Sequence, residues 1–346
     1  MATSACILGC SGPRLTADER AFFAAARPWG FILFRRNVEH PAQVKALVAE
    51  LREAVGRPDA PVLVDQEGGR VQRLGPPHWP KYPPARAWAE AAADADEAAQ
   101  LAWLGGRLIA HDLQQVGVTV DCAPVLDVPT PGAHDIIGDR ALAGKPAEVA
   151  RLGRAVAEGL MAGGVLPVIK HMPGHGRAGA DSHHDLPVVD APREALQAWD
   201  FQPFAALRDL PMAMTAHVVY PALDRSAPAT TSPAVVRLMR ERIGFSGLIM
   251  TDDLSMKALS GPMEARAAGA LAAGCDIALH CNGRIDEMKA VVAGAGPLAG
   301  DARGRAEAAL DRLQPPKPFD VEAGRARFFA ALKGRLEAAA GPEVGE

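Results

Sequence analysis

The chain alternates short apolar runs with Ala-rich stretches whose apolar residues recur at helical spacing. Eight runs stand out: Ser4–Gly9, Gly30–Phe34, Pro61–Asp65, Gly117–Cys122, Leu166–His171, Met212–His217, Gly247–Asp252 and Cys275–Cys281. Continuous apolarity over so few residues marks strands buried on both faces, as in parallel sheets. Between them, Thr16-x-x-Glu19 is a capping box that opens a helix over Ala17–Ala26. Pro41–Val55 carries Val44, Leu47, Val48, Leu51 and Val55 on one helical face. Helices over Ala93–Val116, Pro146–Ala162, Arg193–Leu207, Pro233–Ile243 and Met263–Ala273 follow. Eight strand-and-helix units in a row predict a closed (β/α)8 barrel of the TIM type, with an open doubly wound sheet as the alternative. Asp301–Ala340 reads as two helices broken at Gln314–Pro318. The first is expected to close the barrel and the second to lie outside it, a C-terminal extension over 315–340. No stretch reads as a linker, so one catalytic domain over 1–346 is expected.

In such barrels the chemistry collects where the strands end. Strand three ends in Asp65-Gln66-Glu67-Gly68-Gly69-Arg70, strand five in Lys170-His171, strand six in His217 and strand seven in Asp252-Asp253. A lone Asp in such a place is usually a helix cap. Four titratable endings on one rim point to a shared active site. Asp253 points away from its neighbour Asp252 and takes the cap or salt-bridge reading.

Composition narrows the function classes. The charge balance, 37 − 41 = −4, gives no electrostatic footing for nucleic acid. No apolar run approaches the roughly 18 residues of a membrane span. The opening MATSACILGCSGPRL has no basic segment and no long apolar core, so a cytoplasmic protein without membrane partners is expected. Cys6, Cys10, Cys122, Cys275 and Cys281 are odd in number and form no CxxC, which predicts buried reduced thiols. No cofactor is expected, and a monomer is the default.

The segment Lys170–Asp185, KHMPGHGRAGADSHHD, carries the densest chemistry. Its histidines allow a zinc site, and hence a metal-dependent hydrolase, although HEXXH and paired ligand spacing are absent. The other reading pairs Asp181 with His183. The carboxylate accepts from one ring nitrogen and leaves the other to exchange a proton with substrate. Gly174, Gly176 and Gly179 give the loop freedom to close. Retaining glycoside cleavage needs a carboxylate nucleophile and an acid that later acts as base. Asp252, at the end of an apolar strand, suits the first role. A His–Asp dyad as the acid departs from the usual pair of carboxylates.

Taken together, KHMPGHG…DSHHDLP at Lys170–Pro187, DQEGGRVQR at Asp65–Arg73 and MTDDLSM at Met250–Met256 resemble the β-N-acetylhexosaminidases of glycoside hydrolase family 3. GFILFRRN, IGDRAL, MTAHVVYPALD and AAGCDIALHCN support the resemblance, which runs from residue 6 to 285. It implies that Asp252 forms a covalent glycosyl-enzyme, that His183 is the acid/base and that Asp181 is its partner. It also implies that Asp65, Arg73, Arg140, Lys170 and His171 bind the sugar. His217 and Glu67 are expected just behind them, and His175 is expected to shape the loop. Two-domain family members take their acid from a second domain, for which this chain is expected to have no room. Single-domain members resemble cytoplasmic enzymes of bacterial cell-wall recycling that remove N-acetylglucosamine from 1,6-anhydro-muropeptides. Phosphorolysis is the variant within this reading, because a His acid/base leaves room for phosphate as acceptor. A sugar-binding barrel without catalysis is the remaining alternative.

Overall fold

The computed structural model describes residues 2–132, 135–179 and 186–339, with side chains through Lys333. Each of the eight apolar runs holds a strand: β1 Ser4–Gly9, β2 Pro28–Leu33, β3 Val62–Val64, β4 Val120–Asp121, β5 Leu166–Met172, β6 Met212–Thr215, β7 Leu248–Met250 and β8 Ala278–His280. All pair in parallel, in the spatial order β8-β1-β2-β3-β4-β5-β6-β7. A parallel bridge between Met250 and Ile277 joins β7 to the β8 run. Thr251 N–H donates to the Ile277 carbonyl and Leu254 N–H to that of Leu279, which completes the (β/α)8 barrel. Nearly every strand residue is buried, as continuous apolar runs require.

The helices form where spacing and caps predict. The Thr16 hydroxyl accepts from Glu19 N–H, and the Glu19 carboxylate accepts from Thr16 N–H. Pro41–Val55 buries the five aliphatic residues of its predicted face. Two expectations need correction. Arg193–Leu207 is not one helix but short pieces around a π turn at Leu196–Asp200. Pro203, which has no N–H to donate, sits where a regular helix would continue. The helix that closes the barrel is Ile285–Ala295, which lies against Met263–Ala273 and β1. Gly300–Leu310 follows it as a further helix. Val321–Ala339 then lies outside the barrel, with Phe328 against Trp88 and Tyr82 at ring-centroid distances of 5.7 and 6.2 Å.

Candidate active site

Asp65 follows the last residue of β3, and the chain then folds into a small antiparallel hairpin, Gln66–Gly68 with Val71–Gln72. The Gln66 side chain locks the returning strand, accepting from the Arg73 and Leu74 amides at 3.0 Å each. Asp65 and Glu67 are thereby held beside Lys170, which β5 presents. Lys170 Nζ lies 2.9 Å from Asp65 Oδ1 and 2.6 Å from Glu67 Oε1. Arg73 Nη2 donates to Asp65 Oδ2 at 2.8 Å, and its guanidinium stacks 5.0 Å from the Phe34 ring centroid. Arg140 grips Glu67 with both Nε and Nη2 at 2.8 Å, the bidentate geometry of the strongest ion pairs.

Three cations thus surround two carboxylates, Glu67 buried and Asp65 half-buried. Burial alone would raise both acids, but Lys170 and Arg73 outweigh it and hold Asp65 well below the ordinary carboxylate range. Arg140 and Lys170 do the same to Glu67, which falls to about 2. The ammonium of Lys170 is stabilised in return, its own burial offset by Asp65 and Glu67. Both acids stay ionised near neutral pH. Each oxygen of Asp65 has spare lone pairs for hydroxyl donors, and Lys170 has one N–H left over.

His171 follows Lys170 and is fixed from behind. Its Nδ1 lies 2.7 Å from Asp127 Oδ2, and its backbone N–H donates to Asp127 Oδ1 at 3.2 Å. The same Oδ1 accepts from the His175 amide at 2.6 Å. Tyr220 Oη donates to the Gly174 carbonyl, and Arg177 pairs with Asp200 at 2.6 Å. Two of the three loop glycines are closely packed. Gly174 adopts φ +136°, and a Cβ on Gly176 would run into the backbone of Val128. A Cβ on Gly179 meets no atom of the described residues within 4 Å. Burial pushes the His175 imidazole down to about 4 despite Asp127, so it is neutral.

Asp252 lies two residues past β7, and its Oδ1 accepts from the Asp253 amide at 2.8 Å. The Asp253 carboxylate caps the following turn, accepting from Ser255 N–H, Ser255 Oγ and Cys281 N–H, and the residue also borders the cavity. His217 is fully buried one layer back. Its Nε2 lies 3.0 Å from the Asp253 carbonyl, which can only accept, so that nitrogen carries the proton. Its Nδ1 lies 2.7 Å from the Thr230 hydroxyl, which also contacts the Ala216 carbonyl at 3.1 Å. Burial lowers its pKa, in keeping with a neutral ring that holds the Asp252–Asp253 backbone.

These groups surround a cavity of about 250 Å³. Asp65, Arg73, Arg140, Lys170, His171, His175 and Asp252 contribute polar walls. Phe34, Ile136, Ile137 and Met256 contribute apolar ones. A sugar ring, with hydroxyls at its edge and C–H on its faces, needs both. Glu67 and His217 stand behind the walls. Asp181 and His183 lie outside the described residues. Asp127 goes unmarked in the sequence, and Arg70 is read there only as part of the polar end of strand three. Asp127 orients His171, and Arg70 donates from Nη2 to the carbonyls of Asp135 and Ile136, tying the hairpin to the segment that carries Arg140. The description of the Glycosyl hydrolase family 3 N terminal domain matches residues 12–307.

The chain belongs to glycosyl hydrolase family 3.

A beta-hexosaminidase of Methylococcus capsulatus is 45% identical over 275 residues, 78% of this chain and 80% of that protein. Native NagZ of Neisseria gonorrhoeae is 33% identical and superposes with a TM-score of 0.83, over 96% of this chain and 97% of that one. NagZ in complex with N-trifluoroacetyl-D-glucosamine superposes equally well, at 32% identity over the same shares of the two chains. As a member of this family the chain is a glycoside hydrolase. No described helix is long and apolar enough to cross a membrane.

Proposed function

We propose that the chain is a retaining exo-β-N-acetylglucosaminidase acting on 1,6-anhydro-muropeptides in cytoplasmic peptidoglycan recycling. One observation carries the catalytic reading: Asp252 shares a small cavity with five polar groups suited to a single sugar ring, Asp65, Arg73, Arg140, Lys170 and His171. A pocket of about 250 Å³ favours one terminal sugar over an internal stretch of polymer. The relatives named β-hexosaminidase and the NagZ complex with an N-acylglucosamine support the sugar class.

In this reading Asp252 attacks the anomeric carbon from one face. His183, its other ring nitrogen held by Asp181, protonates the leaving oxygen and then deprotonates the water that releases the sugar. Asp65 accepts from sugar hydroxyls, while the free N–H groups of Lys170, Arg73 and Arg140 donate to them. Arg140 directs two donors to Glu67, so its contribution to substrate comes from the hydrogens that remain. Such bonds accelerate the reaction to the extent that they tighten as the ring moves toward an oxocarbenium ion.

Incubation with a slow N-acetyl-β-glucosaminide substrate that lets the glycosyl-enzyme accumulate, followed by peptide mass mapping, tests the central claim. The label is expected on Asp252, and Asp252→Ala is expected to abolish turnover of an aryl N-acetyl-β-glucosaminide while keeping the unfolding midpoint. A label on another residue, or near-normal rates in the variant, would refute the assignment.

A further inference from the structure

Behind the cavity wall, Asp127 and His171 form an aspartate–histidine pair distinct from the proposed Asp181–His183 dyad. We infer that Asp127 is a positioning residue of the active site, fixing the tautomer and ring orientation of His171 so that Nε2 is the nitrogen offered to substrate. The inference rests on the proposed role of His171 as a sugar-binding residue.

The hydrogen-bond inventory leads to it. Asp127 is fully buried, and His171 is its side-chain hydrogen-bond partner among the described residues. Its Oδ2 lies 2.7 Å from His171 Nδ1, while Oδ1 receives two backbone N–H groups, from His171 at 3.2 Å and His175 at 2.6 Å. A carboxylate only accepts, so Nδ1 is protonated. Burial pushes Asp127 up, but the facing His171 and the amide donors hold it below the ordinary carboxylate range, so it is ionised throughout the working pH range. His171 lines the cavity, and with Nδ1 held by Asp127 its remaining nitrogen is the one that meets substrate. A partner behind a functional imidazole sets which nitrogen carries the proton and where the ring points.

Asparagine at position 127 isolates the effect. Two backbone N–H groups converge on Oδ1, so the amide must place its oxygen there. Its NH2 then faces His171 Nδ1, which has to accept, and the ring proton moves to Nε2. The backbone contacts survive while the tautomer inverts.

The test is a double-mutant cycle on kcat/KM, read beside the ring-nitrogen NMR of ¹⁵N-histidine-labelled protein. The His171 signals are assigned by their loss in His171→Ala. In the wild type, Nδ1 is expected to resonate as a protonated nitrogen, and in Asp127→Asn as an unprotonated one. Asp127→Asn is expected to lower kcat/KM by about 10- to 100-fold without losing the fold. In the His171→Ala background the same change is expected to cost less than about twofold, because the residue through which Asp127 acts is gone. An equal fold-loss in both backgrounds means that Asp127 merely holds the loop, and overturns the inference. So does an unprotonated Nδ1 in the wild type, a measurement that needs no folded variant of Asp127. If His171→Ala by itself leaves kcat/KM unchanged, the sugar-binding role of His171 fails and the inference falls with it. A costly His171→Ala that shows no coupling to Asp127 removes the inference alone.

Discussion

Lys170 is 2% exposed and stands between the buried Glu67 and the half-buried Asp65, so removing its charge leaves Asp65 and Glu67 facing each other with one arginine apiece. Breaking a buried pair by deleting one partner costs about 3–5 kcal/mol, because the remaining charge is uncompensated. Lys170→Met is expected to lose stability in that range at neutral pH. The sign with pH follows from linkage. Glu67 falls to about 2 in the folded protein, below its ordinary value. Its contribution is therefore complete above the unfolded carboxylate pKa and drains away as pH falls toward about 2. In the variant both folded carboxylates titrate higher, and protonation relieves their repulsion. The stability deficit should be largest near neutrality and smaller in acid. Denaturant unfolding of both proteins at about pH 7.5 and about pH 5 measures it. A deficit that grows toward acid would contradict the assignment of Lys170 as the shared counter-ion.

Elements differ in how plainly the sequence announces them. All eight strands overlap predicted runs, because burial on both faces leaves an uninterrupted apolar signature even where β4 keeps only Val120 and Asp121 in regular pairing. Ile285–Ala295 escaped notice because it buries only Met288, Val291 and Ala295, too sparse a stripe to register. Strand-end groups such as Asp65, Lys170 and Asp252 were legible because charge interrupts apolarity there. Asp127 was not, since it sits inside the apolar run Val125–Val128, beyond the β4 end, where it resembles an ordinary loop residue. The loop glycines are ambiguous, since in sequence close packing and hinge freedom look alike. They separate in substitution. A methyl on Gly176 meets the backbone of Val128, next to Asp127, which cannot yield as a side-chain tip would. Gly176→Ala is therefore expected to cost about 1–3 kcal/mol and to depress kcat/KM, while Gly179→Ala, with no atom of the described residues within 4 Å, leaves both near wild type. Thermal unfolding and steady-state kinetics of the two variants decide the matter. If both slowed turnover without destabilising the protein, the glycines would be hinges after all.

Across the whole molecule, the external C-terminal helix reaches the active site through a short series of contacts. Phe328, fully buried, packs on Tyr82 and Trp88, and Arg325 pairs with Asp112 at 2.7 Å. Asp112 also accepts from the Tyr82 hydroxyl at 2.6 Å. The backbone of Tyr82 in turn receives the Gly69 N–H through its carbonyl and donates its own N–H to Gln72 Oε1, so it braces the hairpin that carries Glu67. A helix attached only by its own small interface would melt first and leave the barrel active. A helix that braces the hairpin should instead unfold with the barrel. Phe328→Ala removes the ring at the centre of that contact and is expected to cost about 3–5 kcal/mol. That loss should appear as a downward shift of one transition, with helix signal, tryptophan fluorescence and residual activity falling together. A new early transition in the helix signal, with activity persisting to the wild-type temperature, would mean that the helix is an appendage and that the hairpin holds its shape unaided.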